Sequence, residues 1–312
     1  MLNKIRDDHA SHPAVSAIEL LNEPLGPNLD MATVKQFYMD GWGNLKDSNV
    51  AVTFHDAFEG VTGWGDWGAG MWNLLLDTHH YEIFDDSQVS QSIDTHIQTA
   101  CDFGNQMAST GKWTISGEWT GGITDCAKWL NGKDKGARYD GTLSGSSKVG
   151  DCTGKSTGSV AGLSDADKKN IGRFIEAQLD AFEKATGWIF WTWKTEGAPE
   201  WDMKDLLANG IFPQPLTSRK CKSPTHSFSL RRCPTPRHAL SKCKSRSSYT
   251  YRMHSFGSRE TDMLQIPASA AKHLVDSSML PPRAFVAFPT LYNYSVQTTS
   301  HSLRHDLPSH RK

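Results

Sequence analysis

The chain has 312 residues and a formal net charge of −1, a length that fits one large or two ordinary domains. The near-neutral charge hides two segments, because residues 1–218 carry 17 Lys and Arg against 30 Asp and Glu, whereas residues 219–312 carry 16 against 4. No stretch approaches the roughly 18 continuous apolar residues of a membrane span, and no apolar stretch of signal-peptide length follows Met1. We therefore expect no membrane partner.

The two segments also differ in composition. All 11 Trp precede residue 202, and residues 219–312 are rich in Ser, Pro, Arg and His. The positive charges of the second segment are scattered, without a nucleic-acid-binding motif or a helical period. We predict a first domain at 1–218, a basic tail of low order at 219–312, and no nucleic-acid partner.

Apolar runs and helix-like patterns alternate along the first segment. The predicted strands are 17–23, 50–56, 73–81, 112–119 and 187–194. The predicted helices are 31–47, 87–110 with Asp86 or Ser87 as N-cap, and about 164–185. A loop rich in Gly and Trp lies at 59–72, and a long Gly-rich loop lies at 120–163. Loops as long as the second one are usually functional.

This order of elements predicts an α/β fold with a parallel sheet built from βα units. Each predicted strand carries polar or aromatic residues at its carboxyl end, where α/β barrels place their catalytic groups. A complete eight-stranded barrel typically needs about 250 residues. Because residues 1–218 are fewer, we predict a (β/α)8 TIM barrel truncated to its last five βα units.

Two glutamates stand at the ends of predicted strands. Glu23 closes the run 17–23 directly before Pro24, which cannot continue a strand ladder. Glu118 stands near the end of 112–119. Either residue alone would be read as a surface or cap glutamate. Together on one rim they are candidates for a catalytic pair of carboxyl groups.

Several longer motifs in this order resemble the fungal exo-β-1,3-glucanases of glycoside hydrolase family 5. The residues that carry the resemblance are Asn22-Glu23-Pro24, His79-His80-Tyr81, Gly117-Glu118-Trp119, Phe190-Trp191-Thr192-Trp193, and the segments 124–132 and 136–141. The resemblance covers roughly residues 10–218. It implies release of glucose from the ends of β-1,3-glucan in fungal wall metabolism, by a retaining double displacement without a cofactor.

The resemblance also implies roles for individual residues. Glu23 would be the acid/base, with a raised pKa, and Glu118 the nucleophile. Tyr81 would steer Glu118 by a hydrogen bond, and His79 would touch the sugar or that carboxylate.

Other side chains are assigned from chemistry and strand alternation. Asn22 would bind the sugar 2-OH, and Trp193 would lie under the sugar ring. Trp191 is predicted to be core, and Glu19 to be a buried partner of a cation.

Some interpretations stay open at this point. Four aromatic residues could line acceptor positions or simply pack in the core, namely Phe54, Phe58, Trp64 and Trp67. A metal site is a weaker alternative because alternation points His80 away from its candidate co-ligands, which are His55, Asp77 and His79. In the family, the long loop with Trp129 and Arg138 helps close one end of the pocket.

Six cysteines are present, and none forms a CxxC pair. Cys126 and Cys152 flank part of the long loop, which a cross-link would stabilise, and such a cross-link favours an oxidising compartment. We expect a monomer that acts on β-glucan outside the cell or in the wall.

A second hypothesis is that the chain is an inactive fragment or a weak glucan-binding protein, because missing strands would leave two open sheet edges. Under it, the sequence comes from a gene model that starts late and reads through near codon 218.

Overall fold

In a computed structural model, the structure describes residues 1–219, and the basic tail predicted at 219–312 lies almost wholly outside these residues. The described part contains a five-stranded sheet in which every neighbouring pair is parallel and the strands follow chain order. The strands are β1 (Ala17–Glu19), β2 (Ala51–His55), β3 (Leu74–His80), β4 (Trp113–Trp119) and β5 (Gly187–Trp188). This α/β arrangement is part of a TIM-like barrel, as predicted.

Helices lie before β1, in three of the four connections between strands, and after β5. They are α1 (Leu2–His9), α2 (Met31–Leu45), α3 (Asp86–Val89), α4 (Ile93–Ser109), α5 (Asp165–Phe182) and α6 (Met203–Ala208). The predicted single helix 87–110 is wrong, because the chain forms two helices there. Ser92 interrupts the run, and its hydroxyl accepts the amide N–H of Thr95 and caps α4.

The strands are buried runs, as expected for a sheet covered on both faces. Four of the five residues of β2 are buried, and five of the seven residues of β3. β1 and β5 are shorter than predicted. The end of β1 at Glu19 leaves Glu23 in the loop that follows, and the end of β5 at Trp188 leaves Trp191 and Trp193 outside the strand.

Trp119 anchors the aromatic core below the β4–β5 end of the sheet. Its ring packs edge to face against Trp188, Phe182 and Phe190, with centroids 5.3, 5.6 and 4.9 Å apart. Aromatic pairs in this geometry add to the stabilisation that burial gives. The core therefore fixes β4, the strand that carries Glu118.

The long loop is tied down at several points. The predicted cross-link is present as the Cys126–Cys152 disulfide. The buried Asp125 carboxylate accepts the backbone N–H groups of Arg138 and Tyr139 at 2.8 and 3.0 Å. The loop is thus an ordered part of the domain. In residues 1–219, no helix is long and apolar enough to cross a membrane.

Candidate active site

The backbone around Glu23 turns the side chain toward β3. Glu23 has φ 46°, a left-handed conformation that is uncommon for residues other than glycine, and such residues cluster at functional sites. Its Oε1 lies 2.6 Å from Nδ1 of His79, near the end of β3. The Glu23 side chain is about one-third exposed, whereas the His79 side chain is buried. The loop after β1 therefore delivers a reachable carboxylate to a buried imidazole.

Glu118 approaches the same imidazole from β4. A register shift between Thr78 and His79 pairs His79 with Glu118, whereas an unbroken register would pair His79 with Gly117. Irregular pairing of this kind re-aims side chains at the rims of sheets. Nδ1 of His79 lies 3.5 Å from Oε2 of Glu118, and the Tyr81 hydroxyl donates to the same oxygen at 2.8 Å.

The two carboxylates are consequently close together. Because Oε1 of Glu23 and Oε2 of Glu118 lie 2.6 and 3.5 Å from one nitrogen of His79, the two oxygens are at most about 6 Å apart. That limit accommodates the roughly 5–5.5 Å separation of retaining glycoside hydrolases and falls below the separations of inverting ones.

Asp77 supports His79 from deeper in the sheet. Its Oδ2 lies 3.5 Å from Nε2 of His79, and its Oδ1 accepts the backbone N–H of Gly117 at 2.7 Å. A Cβ at Gly117 would lie 2.2 Å from both Asp77 oxygens, so this approach requires glycine. In the sequence, Asp77 is a candidate metal ligand only, although its spacing of two from His79 indicates that both side chains lie on the same face of the strand.

The contacts of His79 make it a cation. Burial by itself would lower the pKa of His79, but hydrogen bonds to Asp77 and Glu23 raise it to about 10. The hydrogen bond between His79 and Glu23 also lowers the pKa of Glu23. The expectation of a raised pKa for Glu23 is therefore wrong for this structure.

The pKa values of the other two carboxyl groups move upward. Burial raises the pKa of Glu118, against the opposing effects of His79 and the Tyr81 hydroxyl. Burial and the neighbouring Asp77 carboxylate raise the pKa of Glu19 to about 8. Glu19 was expected to be the partner of a cation. The neighbouring Asp77 carboxylate instead affects the pKa of Glu19 more strongly than the His79 cation does.

The residues that could bind a metal ion are not the set predicted from the sequence. His80 points away as predicted, and its Nε2 lies 2.9 Å from Oε1 of the buried Glu82. Within residues 1–219, the group of side chains able to hold a metal ion is Glu23, His55 and His79, with one ligand atom of each within 4.8 Å of the others. A cation there would compete with the proton between Glu23 and His79.

The remaining predicted site residues are placed less directly. Asn22 is exposed beside Glu23, and Trp193 is partly buried and packs against the main core. The prediction that Trp191 is core is wrong, because 49% of its surface is exposed. The alternation that suggested this prediction does not apply, since β5 ends at Trp188.

Of the four aromatic residues that could line the site or pack in the core, three pack in the core and one is exposed. Phe54 and Trp64 are fully buried, and Trp67 packs against both with ring centroids 4.9 and 5.0 Å away. These three are core residues. Phe58 is half exposed, and its ring edge lies against His55 with centroids 5.3 Å apart.

Together, the parallel sheet and the two carboxylates on its carboxyl-end rim define an α/β protein with a carboxylate pair compatible with retaining glycoside hydrolysis. Its particular relatives are fungal glucan 1,3-beta-glucosidases. The chain is 52% identical over 215 residues to "Glucan 1,3-beta-glucosidase" of Blumeria graminis, a match that covers 67% of this chain and 50% of that protein.

Two further relatives carry the name "Probable glucan 1,3-beta-glucosidase A". The protein of Emericella nidulans is 50% identical over 215 residues, covering 68% of this chain and 53% of its own length. The protein of Aspergillus niger is 48% identical over 216 residues, covering 68% and 52%. The resemblance to this group of proteins is thereby confirmed. The chain spans about half the length of the curated relatives it matches.

No family model matches the chain, so membership of glycoside hydrolase family 5 stays a prediction. The crystal structure of AoRut aligns with a TM-score of 0.44 and 17% identity, over 67% of this chain and 54% of that one. A likeness at that level adds nothing to the assignment.

Proposed function

We propose that residues 1–218 are the part of a catalytic barrel that carries both carboxylates of an exo-acting, retaining glucan 1,3-β-glucosidase. The observation that carries the proposal is the single His79 nitrogen 2.6 Å from Glu23 and 3.5 Å from Glu118, because it limits the two carboxyl oxygens to a separation of about 6 Å, which is compatible with a retaining mechanism. The names of the relatives support glucan as the substrate and the β-1,3 linkage as the bond cleaved.

Glu118 is the nucleophile in this mechanism. Its oxygen bonds to the anomeric carbon as the bond from that carbon to the leaving oxygen breaks, and the leaving oxygen takes a proton from Glu23. Water deprotonated by Glu23 then displaces Glu118 from the glycosyl-enzyme. Two displacements on the same carbon return the β configuration.

Tyr81 and His79 favour the ionised form that Glu118 needs for attack. The Tyr81 hydroxyl donates to the Glu118 carboxylate, and the nearby His79 cation lowers the pKa of that group. Together these two residues oppose the effect of burial.

The proton for the leaving oxygen is held between Glu23 and His79. Transfer from Nδ1 of His79 to Glu23 across their 2.6 Å hydrogen bond gives the acid its proton, while Nε2 of His79 still faces Asp77. The two groups therefore titrate as a pair, and a lowered pKa for Glu23 in the free protein is compatible with its acid role.

The other predicted side chains complete the sugar site in this proposal. Asn22 donates to the 2-OH of the sugar, a contact that strengthens as the oxocarbenium-like transition state forms. Trp193 packs its ring against the apolar C–H face of the pyranose. The loop with Trp129 and Arg138 closes one end of the pocket, which restricts cleavage to chain ends.

We further propose that the protein works as a monomer outside the cell or in the wall, on β-glucan, without a cofactor, nucleic acid or membrane. The Cys126–Cys152 disulfide supports an oxidising compartment.

Substitution of the two glutamates tests the roles separately. With an aryl β-glucoside, Glu118→Ala should abolish hydrolysis, and azide should restore turnover and give the α-linked glucosyl azide, because azide then takes the place of the nucleophile. Glu23→Ala should keep some activity on substrates with good leaving groups, and azide should give the β-linked product.

The exposed Glu59 provides the matched control, since Glu59→Ala leaves both carboxylates in place. A folded, cooperatively melting wild-type chain without glucosidase activity would instead support the inactive-fragment hypothesis. Azide products of the opposite configuration would exchange the roles of Glu23 and Glu118.

A further inference from the structure

His55, the last residue of β2, is buried directly beside the catalytic pair. Its ring is fully buried and lies 4.4 Å, centroid to centroid, from the ring of His79 in an edge-to-face arrangement. One of its ring nitrogens lies within 4.8 Å of both a Glu23 oxygen and a nitrogen of His79. From the sequence alone, His55 is only a candidate metal ligand.

The backbone fixes the tautomer of His55. Its Nδ1 accepts the backbone N–H of Ala57 at 3.0 Å, and a nitrogen that accepts a hydrogen bond carries no proton. In the neutral ring the proton is then on Nε2. That nitrogen is buried and has no hydrogen-bond partner among the described residues. A buried donor without a partner costs roughly 1–3 kcal/mol, so an orphan of this kind requires an explanation.

The surroundings keep His55 neutral. The charged groups that face it are its neighbour Asp56, Asp77 and His79 of β3, and Glu23 of the loop after β1. Burial and the His79 cation lower the pKa of His55, and the three carboxylates oppose this without reversing it. A neutral ring keeps Nε2–H as a donor.

We propose that His55 is a positioning residue that donates its Nε2–H to the Glu23 carboxylate when Glu23 turns toward it. The proposal rests on the proposed function, in which Glu23 is the acid/base. Oε1 of Glu23 is already held by His79, which leaves the other oxygen for His55. Two donors on one carboxyl group fix its orientation toward the leaving oxygen, and geometry of this kind is what general acid catalysis depends on.

Two substitutions separate this role from a structural one. In His55→Asn, the amide oxygen can occupy the place of Nδ1 and keep the bond from Ala57, but the donor at Nε2 is lost. In His55→Gln, the amide nitrogen reaches the place of Nε2 and keeps the donor, but the bond from Ala57 is lost. A stability role predicts the larger effect in the second variant, and a positioning role predicts the larger catalytic effect in the first.

The readout is kcat/KM for two β-glucosides, one with a poor leaving group, such as a β-1,3-linked glucose disaccharide, and one with a dinitrophenyl leaving group. Only the first needs protonation by Glu23. We expect His55→Asn to lower kcat/KM for the disaccharide by about 10–100-fold, which is less than the roughly 10²–10⁴-fold that a positioned acid contributes, because Glu23 itself is retained. The dinitrophenyl substrate should change much less, and His55→Gln should recover part of the loss.

His96 of α4 supplies a matched control, because it is another buried histidine whose Nδ1 is bound to Glu82 at 2.7 Å. We expect His96→Asn to lower the melting temperature and to leave the ratio of the two kcat/KM values unchanged.

An equal loss on both substrates in His55→Asn, or no loss, overturns the role of His55. If the wild-type protein cleaves neither substrate, the proposed function itself has failed, so the two failures are distinguishable.

Discussion

The hydroxyl of Tyr81 lowers the pKa of Glu118 by donating to its carboxylate at 2.8 Å. Removing this donor leaves burial less opposed, so the pKa of Glu118 rises further. We expect Tyr81→Phe to move the acidic limb of the kcat/KM profile to higher pH, because Glu118 must be ionised to attack. A hydrogen bond to a charged group contributes about 1.5–3 kcal/mol, which corresponds to a shift of about one to two pH units.

The measurement is a pH–rate profile on an aryl β-glucoside from pH 3 to 8. Tyr139→Phe is a suitable control, because that tyrosine belongs to the long loop and packs beside the Cys126–Cys152 disulfide. If the acidic limb of Tyr81→Phe coincides with that of the wild type, Glu118 is not the group that sets it.

At the scale of single residues, the sequence identified the carboxylates but not their protonation. Glu23, Glu118 and Tyr81 could be found because motifs and strand ends mark them. The reversed order of the pKa values could not be predicted, since it depends on the His79 cation, which the register shift after Thr78 places between the two carboxylates. No local pattern in the sequence specifies the distances from His79 to the two carboxylates.

Between whole elements, the α4–α5 contact depends on one glycine. A Cβ built at Gly104 of α4 would lie 2.5 Å from the backbone oxygen of Ala181 in α5, a distance that requires one helix to move. Gly172, inside α5, has no atom closer than 3.6 Å to such a Cβ. The two positions therefore form a matched pair, in which the same substitution meets a backbone that is too close at one site and ordinary van der Waals contact at the other.

We expect Gly104→Ala to destabilise the fold by about 1–3 kcal/mol through overpacking. By contrast, Gly172→Ala should stabilise it by about 0.5–1 kcal/mol, because alanine has the higher helix propensity. Denaturant unfolding of both variants measures the difference. Equal effects at the two positions would show that α4 and α5 are not in close contact in solution.

Element order could be read from the sequence more safely than element ends. The alternation of apolar runs and helix-like patterns gave all five strands and their parallel arrangement. Their ends were misjudged where tertiary contacts decide them. β5 stops at Trp188 although apolar residues continue, and the predicted helix 87–110 divides because Ser92 caps a new helix. The short helix α6 carried no clear periodic signal.

For the whole molecule, buried groups that bind protons more tightly in the folded state make stability depend on pH. The pKa of Glu200 is raised to about 7 by burial, that of Glu19 to about 8, and that of His79 to about 10. The stabilisation that each group contributes is fully present below its pKa in the unfolded chain, and it is lost as pH rises through its pKa in the folded protein. Carboxyl groups with lowered pKa values, such as Glu82 and Glu23, act oppositely below about pH 4.5.

Because the two sets of groups make stability change with pH in opposite directions, we predict a stability maximum near pH 5 and a continuous fall in melting temperature toward pH 9. Glu200 offers the cleanest test, because it lies outside the catalytic pair and its Oε2 accepts from the neutral Thr124 hydroxyl. A glutamine there keeps an acceptor for Thr124 and cannot ionise. We therefore expect Glu200→Gln to resemble the wild type at pH 5 and to be more stable at pH 8, by about 3 kcal/mol at most. As a control, Glu196→Gln at an exposed position should leave the dependence of melting temperature on pH unchanged. If the melting temperatures of Glu200→Gln and the wild type change with pH in the same way, Glu200 has nearly the same pKa in the folded and unfolded states.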